Sequence, residues 1–150
     1  MEDRTITITR DIAASPEKVW RCWTDPELLP RWFGPDGFSC DTKEIDLVEG
    51  GIWRFDMIGP DGTVNPNRHR ILRHERPRRI EFLLDADKDG EAPMQVLVLI
   101  DPTPGGCRLT QTITFPTPAA REGALDFGAD KLGLQTLGKL AVMAEALMAA

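Results

Sequence analysis

Six consecutive segments between residues 38 and 115 alternate apolar and polar side chains with a period of two. Such alternation is typical of half-buried β-strands, and Pro, Gly or Asp turns separate the segments. Consecutive strands with short connections pair antiparallel. The predicted strands cover residues 38–47, 52–58, 67–74, 79–85, 94–101 and 107–115. Another alternating run at 5–9 precedes them, so we predict one antiparallel sheet of six or seven strands.

Two short helices are predicted after the first strand. Ser15 can cap the first helix, and Pro16 suits the first helical position, where no backbone N–H is needed. The second helix is predicted from Pro26 to Phe33. The Gly-Pro pair at 34–35 ends it, because glycine favours a helix end and proline cannot continue the helix.

A long helix is predicted after Pro116 and Pro118, which end the sheet. Its apolar residues recur at steps of three and four, which is typical of an amphipathic helix with one buried face. These residues are Leu134, Leu137, Leu140, Ala141, Ala144, Leu147 and Met148. Glycines at 123, 128, 133 and 138 each cost about 1 kcal/mol of helix propensity, so we expect the helix to be firmest from residue 134 onward.

A twisted antiparallel sheet must cover its apolar face, and this helix is the only predicted element long enough to do so. We therefore predict an α+β fold in which a curved sheet wraps around the long C-terminal helix. Because a curved sheet and a straight helix do not fit flush, we expect a cavity between them. A chain of 150 residues suits a single domain over 1–150.

Composition narrows the partners that we expect. The net charge of −6, from 18 basic and 24 acidic side chains, argues against nucleic acid or an anionic membrane as the main partner. No apolar run reaches the roughly 20 residues of a membrane span, and the charged N-terminus is unlike a signal peptide. Cys22, Cys40 and Cys107 form no CxxC pair, which indicates reduced thiols. We therefore expect a cytoplasmic protein with no cofactor.

Five ordered motifs add a family resemblance. They are SPEKVW at 15–20, DPELL at 25–29, WFGP at 32–35, EGGIWRF at 49–55 and GPDG at 59–62. Over essentially its whole length the chain resembles the START-like (SRPBCC, helix-grip) superfamily. It is most similar to the bacterial branch homologous to the activator of the ninety-kilodalton heat-shock chaperone ATPase. The resemblance implies the helix-grip fold.

The resemblance also frames the function. Superfamily members bind lipids, sterols, hormones or polyketides, and some are cyclases or hydroxylase subunits, so the fold does not fix the activity. We expect a non-enzymatic protein that binds a small apolar or amphipathic molecule between sheet and helix. A chaperone-associated protein and a cyclase- or isomerase-like enzyme are the alternatives, and a monomer or a homodimer is equally compatible. Many relatives carry a tryptophan in the last helix near Leu134; its absence here implies a roomier or differently shaped cavity.

The lining of this cavity follows from strand parity and helix position. Trp53, Phe55 and Met57 share one strand face, and Gln111 is a polar amide on an otherwise apolar face, where it needs a partner. The predicted lining residues are Trp32, Phe33, Phe38, Cys40, Trp53, Phe55, Met57, His69, Phe82, Leu84, Gln111, Ile113, Leu134 and Leu137. Apolar walls with a few polar groups are typical of small-molecule sites. The alternative is that these residues pack together as an ordinary core.

Catalytic candidates are few. His69 and His74 are the only histidines, and their spacing of five predicts opposite strand faces, so at most one would face the cavity. An enzyme would need such a histidine or a carboxylate such as Glu44 as acid or base. Cys40 lies on a predicted strand and is expected to be a small buried apolar residue rather than a nucleophile. We therefore assign no catalytic residue.

Two charged motifs have structural explanations. DADKDG at 85–90 imitates the start of an EF-hand loop, but its twelfth position is Val96 instead of glutamate, so we predict an acidic turn and no metal site. A basic run at 68–79 has no interleaved aromatic residues and predicts the solvated face of a hairpin rather than a nucleic-acid site. An anion- or protein-binding patch is the alternative. The run comprises Arg68, Arg70, Arg73, Arg76, Arg78 and Arg79.

Overall fold

The computed structural model describes residues 3–147, so the predicted helix residue Met148 lies outside the described part. Seven strands form one antiparallel sheet, as the alternation predicts. They are β1 Thr5–Ile12, β2 Ser39–Ile45, β3 Ile52–Ile58, β4 Val64–Glu75, β5 Arg79–Asp85, β6 Met94–Thr103 and β7 Gly106–Thr114. The order across the sheet is β1-β7-β6-β5-β4-β3-β2. Only β1 leaves sequence order, because it pairs with the last strand and not with its neighbour in the chain.

Two short helices connect β1 to β2, as predicted. The first, α1, spans Pro16–Thr24 and is capped by Ser15, whose hydroxyl accepts a hydrogen bond from the Lys18 N–H at 3.3 Å. The second, α2, spans Leu29–Trp32 and begins later than predicted. Residues 26–28 form a turn instead, because the Asp25 carboxylate accepts the Glu27 N–H at 2.9 Å and holds the chain out of the helix.

The predicted C-terminal helix is divided in two. A short helix, α3, spans Pro118–Phe127, and the long helix, α4, spans Ala129–Ala146. Gly128 separates them with a left-handed φ of 88°, a conformation that costs little only for glycine. Gly133 has another role, since a Cβ there would lie 2.8 Å from Ile8 Cδ1. This glycine lets α4 approach β1 closely and is not a point of weakness.

The sheet grips α4 as the helix-grip fold requires. The helix buries Leu137, Leu140, Ala141 and Ala144 against the core. Hydrogen bonds also tie it to the segment 35–38: Lys139 Nζ donates to the carbonyl oxygens of Pro35 at 3.3 Å and Phe38 at 3.4 Å. The Asp36 N–H donates to Gln135 Oε1 at 3.2 Å. By contrast, α3 has no buried residue.

The two charged motifs neutralise each other on the outer face of the sheet. Arg68 donates to Asp85 at 2.8 and 2.9 Å and to Asp89 at 2.9 Å, while Arg54 binds Asp87 at 3.0 Å. Burial opposes ionisation of Asp85 and is the largest single effect. Hydrogen bonds from Arg68 and the Asp87 N–H, together with the charges of Arg68 and Arg70, outweigh it and hold the pKa of that carboxyl below its ordinary value. Arg68 is only 9% exposed, so the prediction of a solvated arginine face is wrong at this position.

The remaining arginines of the run are also paired. Their partners are Asp85 for Arg70, Glu75 for Arg73, Glu17 for Arg76, Asp101 for Arg78 and Glu81 for Arg79. A set of guanidinium groups that already bind carboxylates has little capacity left for an external anion. The basic run and the acidic turn therefore form one structural network, which removes the argument for an anion patch here.

Candidate ligand-binding site

The inner face of the sheet, which faces α4, is built from apolar side chains in register. One row crosses β3 to β6 and comprises Trp53, His69, Leu84 and Met94. A second crosses β5 to β1 and comprises Phe82, Val96, Ile113 and Ile6. A third comprises Ile80, Val98, Gln111 and Ile8. His69 and Gln111 are therefore polar groups surrounded by apolar neighbours.

An aromatic cluster encloses His69. Its ring lies stacked on Phe82, with centroids 4.3 Å apart, and meets Phe33, Trp53 and Phe55 edge to face at 4.8, 4.9 and 5.4 Å. The side chain is 2% exposed, and within residues 3–147 its Nε2 atom has no hydrogen-bond partner. Burial lowers the pKa of His69 to about 3, so the imidazole is neutral at physiological pH.

Trp23 is a second unpartnered polar group in this cluster, and the sequence analysis did not include it in the cavity. It lies on α1, 4% exposed, and its indole N–H has no acceptor in the described part of the chain. Its ring lies 6.0 Å from Phe82 and 6.3 Å from Phe33, the same two rings that contact His69. The apolar face of α1 was a signal that could have found it.

Other polar groups of the cluster are satisfied, which makes these two exceptions informative. The indole N–H of Trp53 donates to Thr42 Oγ1 at 3.0 Å, and that of Trp32 donates to the Cys22 carbonyl at 2.9 Å. Trp53 also stacks on Phe55 at 3.6 Å. Cys40 Sγ–H donates to the Phe33 carbonyl at 3.3 Å, and burial raises its pKa to about 12. That thiol is therefore not a nucleophile at neutral pH.

Gln111 is another polar residue of the inner face without a side-chain hydrogen bond to the described residues. It lies between Val98 and Ile8 in register and is half-buried. Its cross-strand partner Val98 is fully buried, whereas Ile113, two positions further along β7, is partly exposed. The inner face is therefore not uniformly closed around this amide.

Two small recesses open at the two ends of α3. The Leu84 recess has a volume of about 390 Å³ and includes Leu84, Met94 and Ala120 in its lining. The Met57 recess has a volume of about 400 Å³ and includes Phe38, Met57, Phe127 and Leu132. Since Leu84 pairs with His69 in register, the first recess lies next to the aromatic cluster.

The structure corrects the prediction for Leu134. It is 44% exposed and lies on the outer side of α4, in a surface groove of about 810 Å³. Gly133 faces Ile8 on β1, and the next residue on a helix is rotated by about 100°, which turns Leu134 away from the sheet. Leu137 and Trp32 are instead 0% and 1% exposed and belong to the core.

Both histidines lie on the inner face, so the parity argument that allowed only one is wrong. A bulge between Ile71 and Arg73 shifts the register of β4 by one residue. His74 consequently pairs with the buried Ile80, and its ring meets Trp20 edge to face at 5.3 Å. Burial lowers its pKa as well.

Glu44 lies on the outer face, again because of a bulge. The register of β2 shifts between Thr42 and Glu44, which moves Glu44 opposite Arg54. Its carboxylate lies 3.5 Å from the Arg54 guanidinium. It is therefore not available as an acid or base inside the sheet, contrary to the enzyme alternative. The inner-face arrangement favours hydrogen bonding over proton transfer. With a pKa near 3, His69 is a neutral imidazole at neutral pH, so it is neither a charged acid nor a strong base.

Taken together, a seven-stranded antiparallel sheet wrapped around one long helix, with a buried aromatic cluster between them, defines a START-like protein of the helix-grip class. The sequence matches the family described as "Activator of Hsp90 ATPase homolog 1-like protein" over residues 13–145. The chain belongs to that family, which confirms the resemblance seen in its motifs.

Solved bacterial structures share this fold. The crystal structure of a Nitrosomonas europaea protein is 26% identical, with a TM-score of 0.84 over 94% of this chain and 94% of that chain. A Mycobacterium smegmatis protein is 25% identical, with a TM-score of 0.84 over 95% and 92%. A Rhodobacter sphaeroides protein is 26% identical, with a TM-score of 0.82 over 97% and 95%. No curated protein matches the sequence significantly.

Among the helices within residues 3–147, none combines the length and the apolar character needed to cross a bilayer.

Proposed function

We propose that this protein binds a small amphipathic molecule on the inner face of the sheet, beside the aromatic cluster. The observation that carries the proposal is His69, a neutral imidazole with 2% exposure whose Nε2 atom lacks a partner within the described residues. A buried polar atom without a hydrogen bond costs about 1–3 kcal/mol. A ligand hydroxyl or carbonyl group would recover that loss.

The chemistry of the cluster indicates what kind of molecule this is. Trp23 supplies an N–H donor, and a neutral His69 can donate or accept one hydrogen bond. The rings around them offer apolar and aromatic contact. These groups suit an uncharged ligand with an apolar body and one or two oxygen atoms. Gln111 supplies a further amide for a second polar group.

Entry would use the Leu84 recess, whose volume of about 390 Å³ is at the small end of ligand-binding cavities. Leu84 and Met94 are only partly buried there, and both follow His69 in the same register row. Because α3 buries no residue fully and packs on the core through the partly buried Ala120, Ala124 and Leu125, displacing it would break fewer apolar contacts than displacing α4. A ligand can therefore reach the cluster without disrupting α4.

The test is a titration with flavonoids, sterols and fatty acids, followed by tryptophan fluorescence. We expect a shift with an uncharged class, weakened in His69→Phe and in Trp23→Phe. His74→Phe is the matched control, since it makes the same substitution at the other inner-face histidine. Melting curves would show that each variant is folded. No response from any class, or equal affinity of wild type and His69→Phe, would exclude this proposal.

A second proposal is association with a heat-shock chaperone. It rests on the family match over residues 13–145. The measurement is the ATPase rate of the organism's own ninety-kilodalton chaperone with and without this protein. An unchanged rate, together with no complex in a pull-down, would remove the proposal. The cyclase- or isomerase-like alternative has weaker support, because Glu44 faces outward and His69 is not an acid at neutral pH.

A further inference from the structure

We propose that the outer groove, the surface groove along α4, binds an acidic amphipathic helix of a partner protein. The groove has a volume of about 810 Å³ and follows α4 from Lys131 to Leu147. At 1.5 Å per helical residue, this distance is about 24 Å, or more than four turns. The inference is independent of the inner-face ligand.

The side of α4 within this groove carries large apolar side chains among the polar Lys131, Gln135 and Lys139. Leu134 is 44% exposed and Val142 is 70% exposed. They are eight residues apart, which places them about 80° apart around the helix axis, and both line the groove. Large exposed apolar side chains in a continuous strip mark interaction surfaces, whereas single ones need no explanation. A groove of this length with apolar side chains along it suits the apolar face of an amphipathic helix.

The rim of the groove is positively charged. Arg10, Arg31 and Lys131 line it, and within residues 3–147 none of them has a carboxylate at ion-pair distance. Asp36 is the single carboxylate among the described lining residues. The arginines of the outer sheet face have carboxylate partners, whereas these three groove cations have none within the described chain. They complement an acidic partner, in a chain whose own net charge is −6.

Gly138 is the second observation that indicates a partner. It lies in the interior of α4 and lines the groove, and a Cβ at this position would meet nothing within 4 Å. Glycine weakens a helix interior relative to alanine, and no neighbour within the described structure requires it. A bare backbone at the centre of an apolar strip lets another helix approach closely, as small residues do at helix interfaces.

Charge also selects between possible occupants. A symmetric dimer through this groove would bring the same surface of each copy together. Each copy would bring four cations, Arg10, Arg31, Lys131 and Lys139, and Asp36 as the one carboxylate of the described lining. Two surfaces of net positive charge would then meet, which is unfavourable. A helix carrying Asp and Glu beside its apolar anchors would meet no such repulsion.

The experiment is selection from a displayed library of random peptides of about 16 residues, the length of the groove. We expect enrichment of sequences with apolar residues at steps of three and four, flanked by Asp and Glu. Binding of the selected peptides is expected to weaken about tenfold or more in Arg31→Glu and Lys131→Glu, and to fall with salt. Gly138→Leu fills the centre of the strip and is expected to abolish binding.

Lys88→Glu and Gly123→Ala are the matched controls, a cation and a helix glycine outside the groove, and both are expected to bind like wild type. If Gly138→Leu does not fold, the two charge reversals on the surface still decide the question. Enrichment of basic or uncharged peptides, no enrichment, or binding that the groove variants leave unchanged would overturn the proposal. Two further results would also overturn it. One is a dimer, seen by sedimentation, that Arg31→Glu dissociates, since the groove would then bind a second copy. The other is flotation of the protein with phosphatidylglycerol vesicles that requires Arg31, since the groove would then bind a membrane.

Discussion

The imidazole of His69 lies stacked on the ring of Phe82, with centroids 4.3 Å apart and planes 17° apart. Stacking satisfies the faces of the imidazole ring but not the nitrogen at its edge. The apolar surfaces of the cluster are therefore well packed, but one of its polar atoms lacks a hydrogen bond. Because of this missing hydrogen bond, substitution of His69 should change protein stability as well as ligand binding.

Replacing His69 by phenylalanine should raise the free energy of unfolding. The new ring can keep the contacts with Phe82 and Trp53, while the unpartnered nitrogen is removed. We expect a gain of about 1 kcal/mol, measured by urea denaturation. A loss of stability would contradict this expectation. The same variant is expected to lose ligand affinity, so stability and binding should change in opposite directions.

Stability should decrease as the solution is acidified below about pH 6.5. Burial lowers the pKa of His69 from 6.5 to about 3, so between these values the unfolded chain binds a proton that the folded chain does not. The contribution is complete above pH 6.5 and is lost toward pH 3. We expect a slope of about 1.4 kcal/mol per pH unit within this window.

The pH effect can be assigned to His69 with two variants. His74 has a lowered pKa for the same reason and acts in the same direction, so His74→Phe should reduce the slope partly. His69→Phe should remove most of it between pH 4 and 6. The depressed pKa of Asp85 contributes only at lower pH, as that carboxyl becomes protonated. A wild-type stability that is constant from pH 7 to pH 4.5 would contradict this assignment.

The buried ion pair of Arg68 and Asp85 should be important for stability. Their side chains are 10% and 3% exposed, and Asp85→Asn would leave Arg68 with the highly exposed Asp89 as its main partner. We expect a loss of about 3 kcal/mol in urea denaturation. Arg78→Gln, which breaks an exposed pair with Asp101, is the control and should cost about 0.5 kcal/mol. Equal effects of the two substitutions would show that burial is not decisive.

The glycines of the C-terminal helices should respond in opposite ways to alanine. Gly123 lies inside α3 with no atom within 4 Å of a Cβ, so Gly123→Ala should stabilise by about 0.5–1 kcal/mol. Gly128 has a φ of 88°, and Gly128→Ala should destabilise by about 1–2 kcal/mol. Thermal unfolding monitored by circular dichroism measures both. If Gly128→Ala were neutral, the junction of α3 and α4 would be able to relax into a continuous helix.

The fold was largely predictable because its determinants are local. Alternation predicts β3 over Ile52–Ile58 and β5 over Arg79–Asp85, and the structure has the same bounds. Ser15 caps α1, as predicted from its position directly before Pro16. In each case the signal lies within a few residues of the element, so no distant contact is needed to interpret it.

The orientation of polar side chains was less predictable, because two bulges alter strand parity. The bulge after Ile71 lies where the turn at 49–51 docks: the Gly50 N–H donates to the Ile71 carbonyl, and the Ile71 N–H donates to the Gly51 carbonyl. This docking depends on a neighbouring strand, so counting along β4 cannot reveal it. It brings His74 inward, and the bulge before Glu44 turns that residue outward.

The pairing of β1 with β7 also affects the order of assembly during synthesis. Thr7 and Thr112 meet across the two strands, although they are 105 residues apart in the chain. On the ribosome, β1 emerges early but has no partner until nearly all the other strands have followed it. Sequential hairpins from β2 to β7 can form as they appear, whereas this last ladder requires closure of almost the whole chain. A nascent chain would therefore present an unpaired strand edge for most of its translation, the stage at which protection from aggregation matters most.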